Sequence, residues 1–233
     1  MITSEKKPNI LYEDKDITVI RKPAYFPVQS AAAGKKDCCS FLKNHYYSDT
    51  HITDPYVGVI HRLDEPVEGI VVFARSSEAA AVLSKAVQKG LFKKHYLAAV
   101  KADRALKKGF TEKLNDWIIK EKTGNLSRIV PSGTPGAKKA GLAYNVMEKI
   151  EIYDGEEGYL IGIDLFTGRH HQIRVQMKNA GLPVLGDRKY GASLKEDLPL
   201  CLCADHLIFT HPLNGKEMSF NITPEYLDRI KIL

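Results

Sequence analysis

No run of about 18 apolar residues occurs in the sequence, so no segment has the composition of a membrane-crossing helix. The first residues, MITSEKKPNILYEDKD, hold no apolar stretch of the secretion-signal kind. Cysteine is scarce: 4 in 233 residues, placed as Cys38-Cys39 and as the alternating Cys201-x-Cys203. Neither spacing makes a disulfide framework, so a reducing, cytoplasmic setting without membrane contact is expected. There is no GxxxxGK[ST] phosphate loop and no GxGxxG opening a helix, which sets aside the common nucleotide-binding chemistries. Cys201, Cys203 and His206 are metal-ligand types, but a second pair at zinc spacing is missing. LCLCADHLIF moreover alternates like a strand, so its cysteines read as core residues and no metal is expected. Repeats, low-complexity tracts and linkers are also lacking.

What is present is an ordinary globular composition, 44% hydrophobic and 27% charged. The length suffices to bury a core within one compact domain, residues 1–233. The net charge of +6 is a weak pointer toward nucleic acid.

Along the chain, ILYEDKDITVI reads as a hairpin turning near Asp14-Lys15, and Pro23 and Pro27 then impose a loop. CCSFLKNHYY suggests a short helix. VGVIHRL and GIVVFAR, apolar and β-branched, predict buried strands. SSEAAAVLSKAVQKG predicts a helix capped by Ser76 or Ser77 and stopped by Gly90. KKHYLAAVK reads as a strand, and the polar stretch 101–140 as strands joined by loops. AGLAYNVMEKIE and GYLIGIDLF alternate like paired strands. RHHQIRVQMKNAG predicts a helix with Thr167 as cap and Gly181 beyond its end. LIFTHPLNGKEMSFNI predicts a hairpin with Asn214-Gly215 as a two-residue turn. TPEYLDRIKIL predicts a closing helix with Thr223 as cap and Pro224 in first position. Hairpins outnumber strand–helix–strand crossovers, which argues for an α+β fold with a mainly antiparallel sheet.

Two segments concentrate chemistry. In HRLDEPVEGIVVFAR, Arg62 and Asp64 flank one leucine and fall on the same side of an extended chain. Alone, that is a surface ion pair. FTGRHHQIRVQM then gathers Arg169, His170, His171, Gln172 and Arg174 at the start of the expected helix. Cations there oppose the helix dipole unless they serve a ligand, and arginines so placed suit phosphate. The two histidines diverge by about 100° on a helix, which gives them a structural or RNA-facing role rather than a shared metal. Tyr96, in KKHYLAAV, reads by itself as a cross-strand packing residue.

Taken together, these segments resemble the RluA-type pseudouridine synthases. The parts occur in order: ILYEDKDITVIRKPA, HRLD with GIVVFAR, KKHYLAAV, TGRHHQIRV with GLPVLGDRKYG, and LIFTHPLNGKEMSF. They cover about residues 9 to 222. The resemblance implies a central mixed, mainly antiparallel sheet, flanking helices and a basic active-site cleft. It implies isomerisation of uridine to pseudouridine in ribosomal or transfer RNA, by a monomer without cofactor, metal or obligatory protein partner. Asp64 takes the place of the family's essential aspartate and Arg169 that of its ion-pair partner. Tyr96 would pack on the target base, Arg62 would enter the RNA stack, and Ile173 would line the base pocket. His61, His171, Gln172 and Arg174, in the same two motifs, are further candidates for RNA contact.

Elementary energetics fit these roles. Flipping a base costs a few kcal/mol, a guanidinium plane can stack in the vacated place, and an aromatic face returns about 1–3 kcal/mol. Asp64 must be ionised to act, and a cation beside it favours that form. The chain departs from the family where EPVEGI replaces the usual xxTSGL. Glu68 there is expected to bring negative charge near the RNA phosphates. Cys203 also stands where a histidine is usual. The pattern begins by about Ile10, which leaves no room ahead of it for an S4-type RNA-binding domain. Two other functions compete: an RNA-binding or RNA-folding protein in which turnover is dispensable, and an N-glycosidase with an aspartate nucleophile that releases free uracil.

Overall fold

The computed structural model describes residues 6–32, 34–152, 156–191 and 198–233. In chain order the elements are β1 (Asn9–Glu13), β2 (Ile17–Lys22), α1 (Cys38–Thr50), β3 (Gly58–Val59), β4 (Glu68–Ala74), α2 (Ser77–Gln88), β5 (Lys93–Val100) and β6 (Thr111–Lys120). There follow β7 (Ser127–Val130), β8 (Lys138–Ile152), β9 (Glu156–Leu165), α3 (Gln172–Asn179), β10 (Leu202–Thr210), β11 (Glu217–Asn221), a 3-10 helix (Glu225–Arg229) and β12 (Lys231–Ile232). The expected α+β character holds. The domain is built from two compact units, Met1–Phe92 with His206–Ile222, and Lys93–Asp205 with Thr223–Leu233.

In the first unit, β1 and β2 form the expected antiparallel hairpin. The Asp14 carboxylate makes its turn by accepting the amides of Asp16 and Ile17 at 2.8 and 2.9 Å. Strand β2 pairs antiparallel with β4, which is buried along its whole length. Ser76 caps α2 by accepting the Ala79 amide, as its position predicts. Ala79 and Leu83 then join Ile70, Val72, Phe92, Leu207 and Phe209 in one core cluster. Helix α1 is longer than expected, with a capping box between Asp37 and Ser40.

In the second unit the strand order is β5-β9-β8-β6-β7, with β12 on β8. The registers within it are antiparallel, with Tyr96 opposite Ile163 and Ile163 opposite Tyr144. Beyond α3 the chain turns at Gly186, whose φ is +72°. A Cβ there would stand 2.0 Å from the Pro199 carbonyl oxygen, so only glycine fits.

Four local expectations are corrected. VGVIHRL is a strand only at Gly58–Val59, and residues 60–67 are irregular. Helix α3 begins at Gln172, so Arg169, His170 and His171 precede it and Thr167 is not its cap. The β10–β11 hairpin closes at Thr210 and Glu217, making a loop longer than two residues. Pro212 lacks an amide to continue the ladder there, and the His211 ring accepts the amides of Leu213 and Asn214 instead. The closing helix is a 3-10 turn with Pro224, not Thr223, at its cap position.

Candidate active site

The candidate residues fall into two groups, His61, Arg62 and Asp64 in the first unit and the remainder in the second. Exposure alternates along HRLD. Arg62 is exposed, Leu63 is buried and Asp64 is half-buried. His61 is half-buried. Its Nε2 accepts the Val72 amide at 3.3 Å and its ring meets Phe92 edge-on. The imidazole thus continues the β3–β4 edge where backbone pairing stops. After Asp64 the chain turns sharply, with the Val67 amide donating to the Asp64 carbonyl at 3.0 Å.

A residue the sequence reading did not single out holds this turn. Lys22, at the end of β2, is fully buried. Its ammonium donates to the carbonyls of Pro23, Phe26 and Glu65 at 2.9, 2.8 and 3.0 Å. Three acceptors match the three hydrogens of an ammonium. Burial pushes Lys22 down to about 8, against the opposing pull of neighbouring groups that include Glu65, Asp64 and Glu68. A lysine directly before proline, closing an apolar strand, is the signal that could have marked it.

Glu68 does not project charge toward a phosphate backbone. It is buried, and Arg21 donates to it through both Nε and Nη2. Val67 is buried beside it. The departure from the family pattern is therefore an internal ion pair joining the ends of β2 and β4.

In the second unit Tyr96 lies on β5, 7% exposed. Arg169 is half-buried, and its Nε donates to the Lys139 carbonyl at 2.9 Å. The loop carrying it is knotted by Gln172. The Gln172 side-chain oxygen accepts the Thr167 hydroxyl at 2.8 Å and the Arg169 amide at 3.0 Å. Its nitrogen donates to the Gly141 carbonyl at 3.0 Å, and the Gly141 amide donates back to the Thr167 hydroxyl oxygen. Gln172 is buried and acts on Arg169 rather than presenting itself to RNA.

His171 and Arg174 are likewise turned inward. Arg174 makes a two-pronged ion pair with Asp187, both bonds 2.7 Å, with the guanidinium over the Tyr190 ring. Burial alone would raise the Asp187 carboxyl, but Arg174 and the amides of Lys189 and Tyr190 outweigh it and hold it below its ordinary value. His171 stands 2.9 Å from the Tyr190 hydroxyl and stacks on His170 at 3.8 Å between ring centres. Burial first, then the charge of Arg174, pushes His171 down to about 3, so it is neutral at pH 7. His170 reaches Ser127 and Asn125. Ile173 is buried on α3, 5% exposed. Cys201 and Cys203 are wholly buried, and burial pushes Cys201 up to about 12, which fits the expected core role.

Comparison with known proteins agrees with this architecture. The family model for RNA pseudouridylate synthases matches residues 16–179. An uncharacterized RNA pseudouridine synthase of Aquifex aeolicus (strain VF5) is 31% identical over 92% of this chain and 68% of its own length. The ribosomal large subunit pseudouridine synthase D of Vibrio cholerae serotype O1 is 32% identical over 91% of this chain and 66% of its own. The chain thus spans about two thirds of the length of these curated relatives. The solved structure of human RNA pseudouridylate synthase domain containing 1 shares the fold, with a TM-score of 0.77 at 19% identity over 100% of this chain and 92% of that one. The chain belongs to the RNA pseudouridylate synthase family, and its activity class is that of an isomerase making pseudouridine in RNA. No helix among the described residues is long and apolar enough to cross a membrane.

Proposed function

We propose that this chain converts a uridine of ribosomal or transfer RNA to pseudouridine, with Asp64 as the essential catalytic residue. The uridine flips out of its stack, Arg62 fills the gap, Tyr96 and Ile173 receive the base, and Arg169 serves as the partner that aims Asp64. Asp64 attacks the sugar or base, or removes a ribose proton. The bond from C1′ to N1 breaks, the uracil rotates, and C1′ bonds C5. The C5 proton leaves and N1 gains one. Atoms balance without oxidant or reductant, so the reaction as written needs no redox cofactor, and the proposal has the protein act as a monomer in the cytoplasm.

The observation that carries this reading is the half-buried carboxylate of Asp64, beside the exposed Arg62, on a turn gripped from the interior by Lys22. Such preorganisation suits a reacting group. The test is nucleoside mapping of total RNA from a host lacking the gene, incubated with wild-type protein or Asp64→Asn. New pseudouridine at discrete positions with the wild type alone is expected. Free uracil would favour the N-glycosidase. RNA binding without turnover would favour the RNA-folding protein.

A further inference from the structure

We infer that Tyr25 is a stacking platform for a nucleobase flanking the target uridine, a subsite resting on the function proposed above. Tyr25 lies in the turn after β2 and is 55% exposed. Its φ is +62°, in the left-handed region. Among described non-glycine residues the others there are His51, Asn125 and His171. Histidine and asparagine are the types that tolerate this conformation, whereas a bulky aromatic is an outlier. Glycine would fit the backbone without strain. A tyrosine kept for packing would be buried. This one is strained and largely in solvent, a combination that clusters at functional sites when the surroundings enforce it.

The enforcement is visible. The Lys22 ammonium binds the carbonyls of Pro23 and Phe26, at either side of the Ala24-Tyr25 turn. It also binds the Glu65 carbonyl, one residue past Asp64. One nitrogen therefore fixes the Tyr25 turn and the Asp64 turn to each other. An exposed π-face on a turn tied through Lys22 to the turn that carries Asp64 suits base stacking, which accepts any base.

The test compares wild type, Tyr25→Gly, Tyr25→Trp and Tyr25→Leu for affinity to a labelled hairpin RNA with a uridine-rich loop, for KM and kcat at the mapped site, and for Tm. Tyr25→Gly is expected to raise Tm by relieving the backbone, yet to weaken RNA binding and raise KM about five- to a hundredfold, with kcat little changed. Tyr25→Trp should bind as the wild type and Tyr25→Leu as the glycine variant. Unaltered binding and KM in Tyr25→Gly overturns the inference. A lower Tm with those values unaltered assigns Tyr25 to packing and overturns it too. So does lost affinity for a protein partner with RNA binding intact. If the wild type binds the hairpin but makes no pseudouridine, while Tyr25→Gly still weakens binding, the platform stands and the proposed function falls.

Discussion

Residues 60–67 of the first unit are held by a cation, whereas residues 166–171 of the second are held by a neutral amide. Both stretches are irregular, and each leads directly into a buried element, β4 or α3. Lys22 gathers carbonyls only. Gln172 meets a hydroxyl, an amide and a carbonyl, and needs both donor and acceptor. The type of anchor thus follows from which backbone groups converge. The cation can lose its charge with pH, and the amide cannot.

The largest effect expected from breaking this arrangement is that of Lys22→Met. It leaves the Pro23 carbonyl without a donor in a buried place and those of Phe26 and Glu65 without one in part-buried places, at about 1–3 kcal/mol for each that water cannot reach. Calorimetry should show a loss of about 3 kcal/mol, with kcat reduced beyond what the unfolded fraction explains. A variant that melts and turns over like the wild type would remove Lys22 from the account of Asp64. Gln172→Leu comes next, at about 1–3 kcal/mol, because Gly141 and Thr167 lose their partner. Its kcat should fall as Arg169 loosens, and Gln172→Glu should restore only part, since the donor to Gly141 stays missing.

The effects of pH are smaller per unit, and they separate the two regions by pH range, acidic for the second unit and alkaline for the first. The depressed His171 stays neutral when folded while the unfolded chain takes up a proton. Stability of the second unit is therefore present above about 6.5 and is lost as pH falls toward 3, by at most about 1.4 kcal/mol per pH unit. Lys22, also depressed, is charged in both states below about 8. Above that the folded form sheds its proton first, so this group does not destabilise the fold as pH rises toward its unfolded value. A neutral amine, however, keeps two hydrogens for three carbonyls. Turnover should decline above pH 8 while Tm does not, and an activity profile that tracks Tm throughout would refute the clamp.

Local signals were legible in the sequence, and long-range ones were not. The β1–β2 turn at Asp14 and the Ser76 cap rest on partners a few residues away. Strand VGVIHRL was over-extended because a side chain, His61, replaces the backbone ladder at Val72. The start of α3 was misjudged because the knot at Gln172 draws on Gly141, far back in the chain. The exposure of Arg62 and the burial of Leu63 agree with an alternating pattern, although the chain there is irregular rather than a strand. The inward placement of His171, Gln172 and Arg174 follows from no such pattern, because every residue from His171 to Met177 is buried and no face distinguishes itself. Their polarity signalled internal partners, Tyr190 and Asp187, rather than RNA.

The unit that carries Asp64 is discontinuous along the chain. Its core takes Leu207 and Phe209 from β10, with Phe209 stacked on Phe92 and on Phe220 of β11. His211 reaches back to Asp14 in the first hairpin at 2.9 Å. During synthesis Asp64 and Arg62 are therefore made long before the strands that complete the core of their own unit.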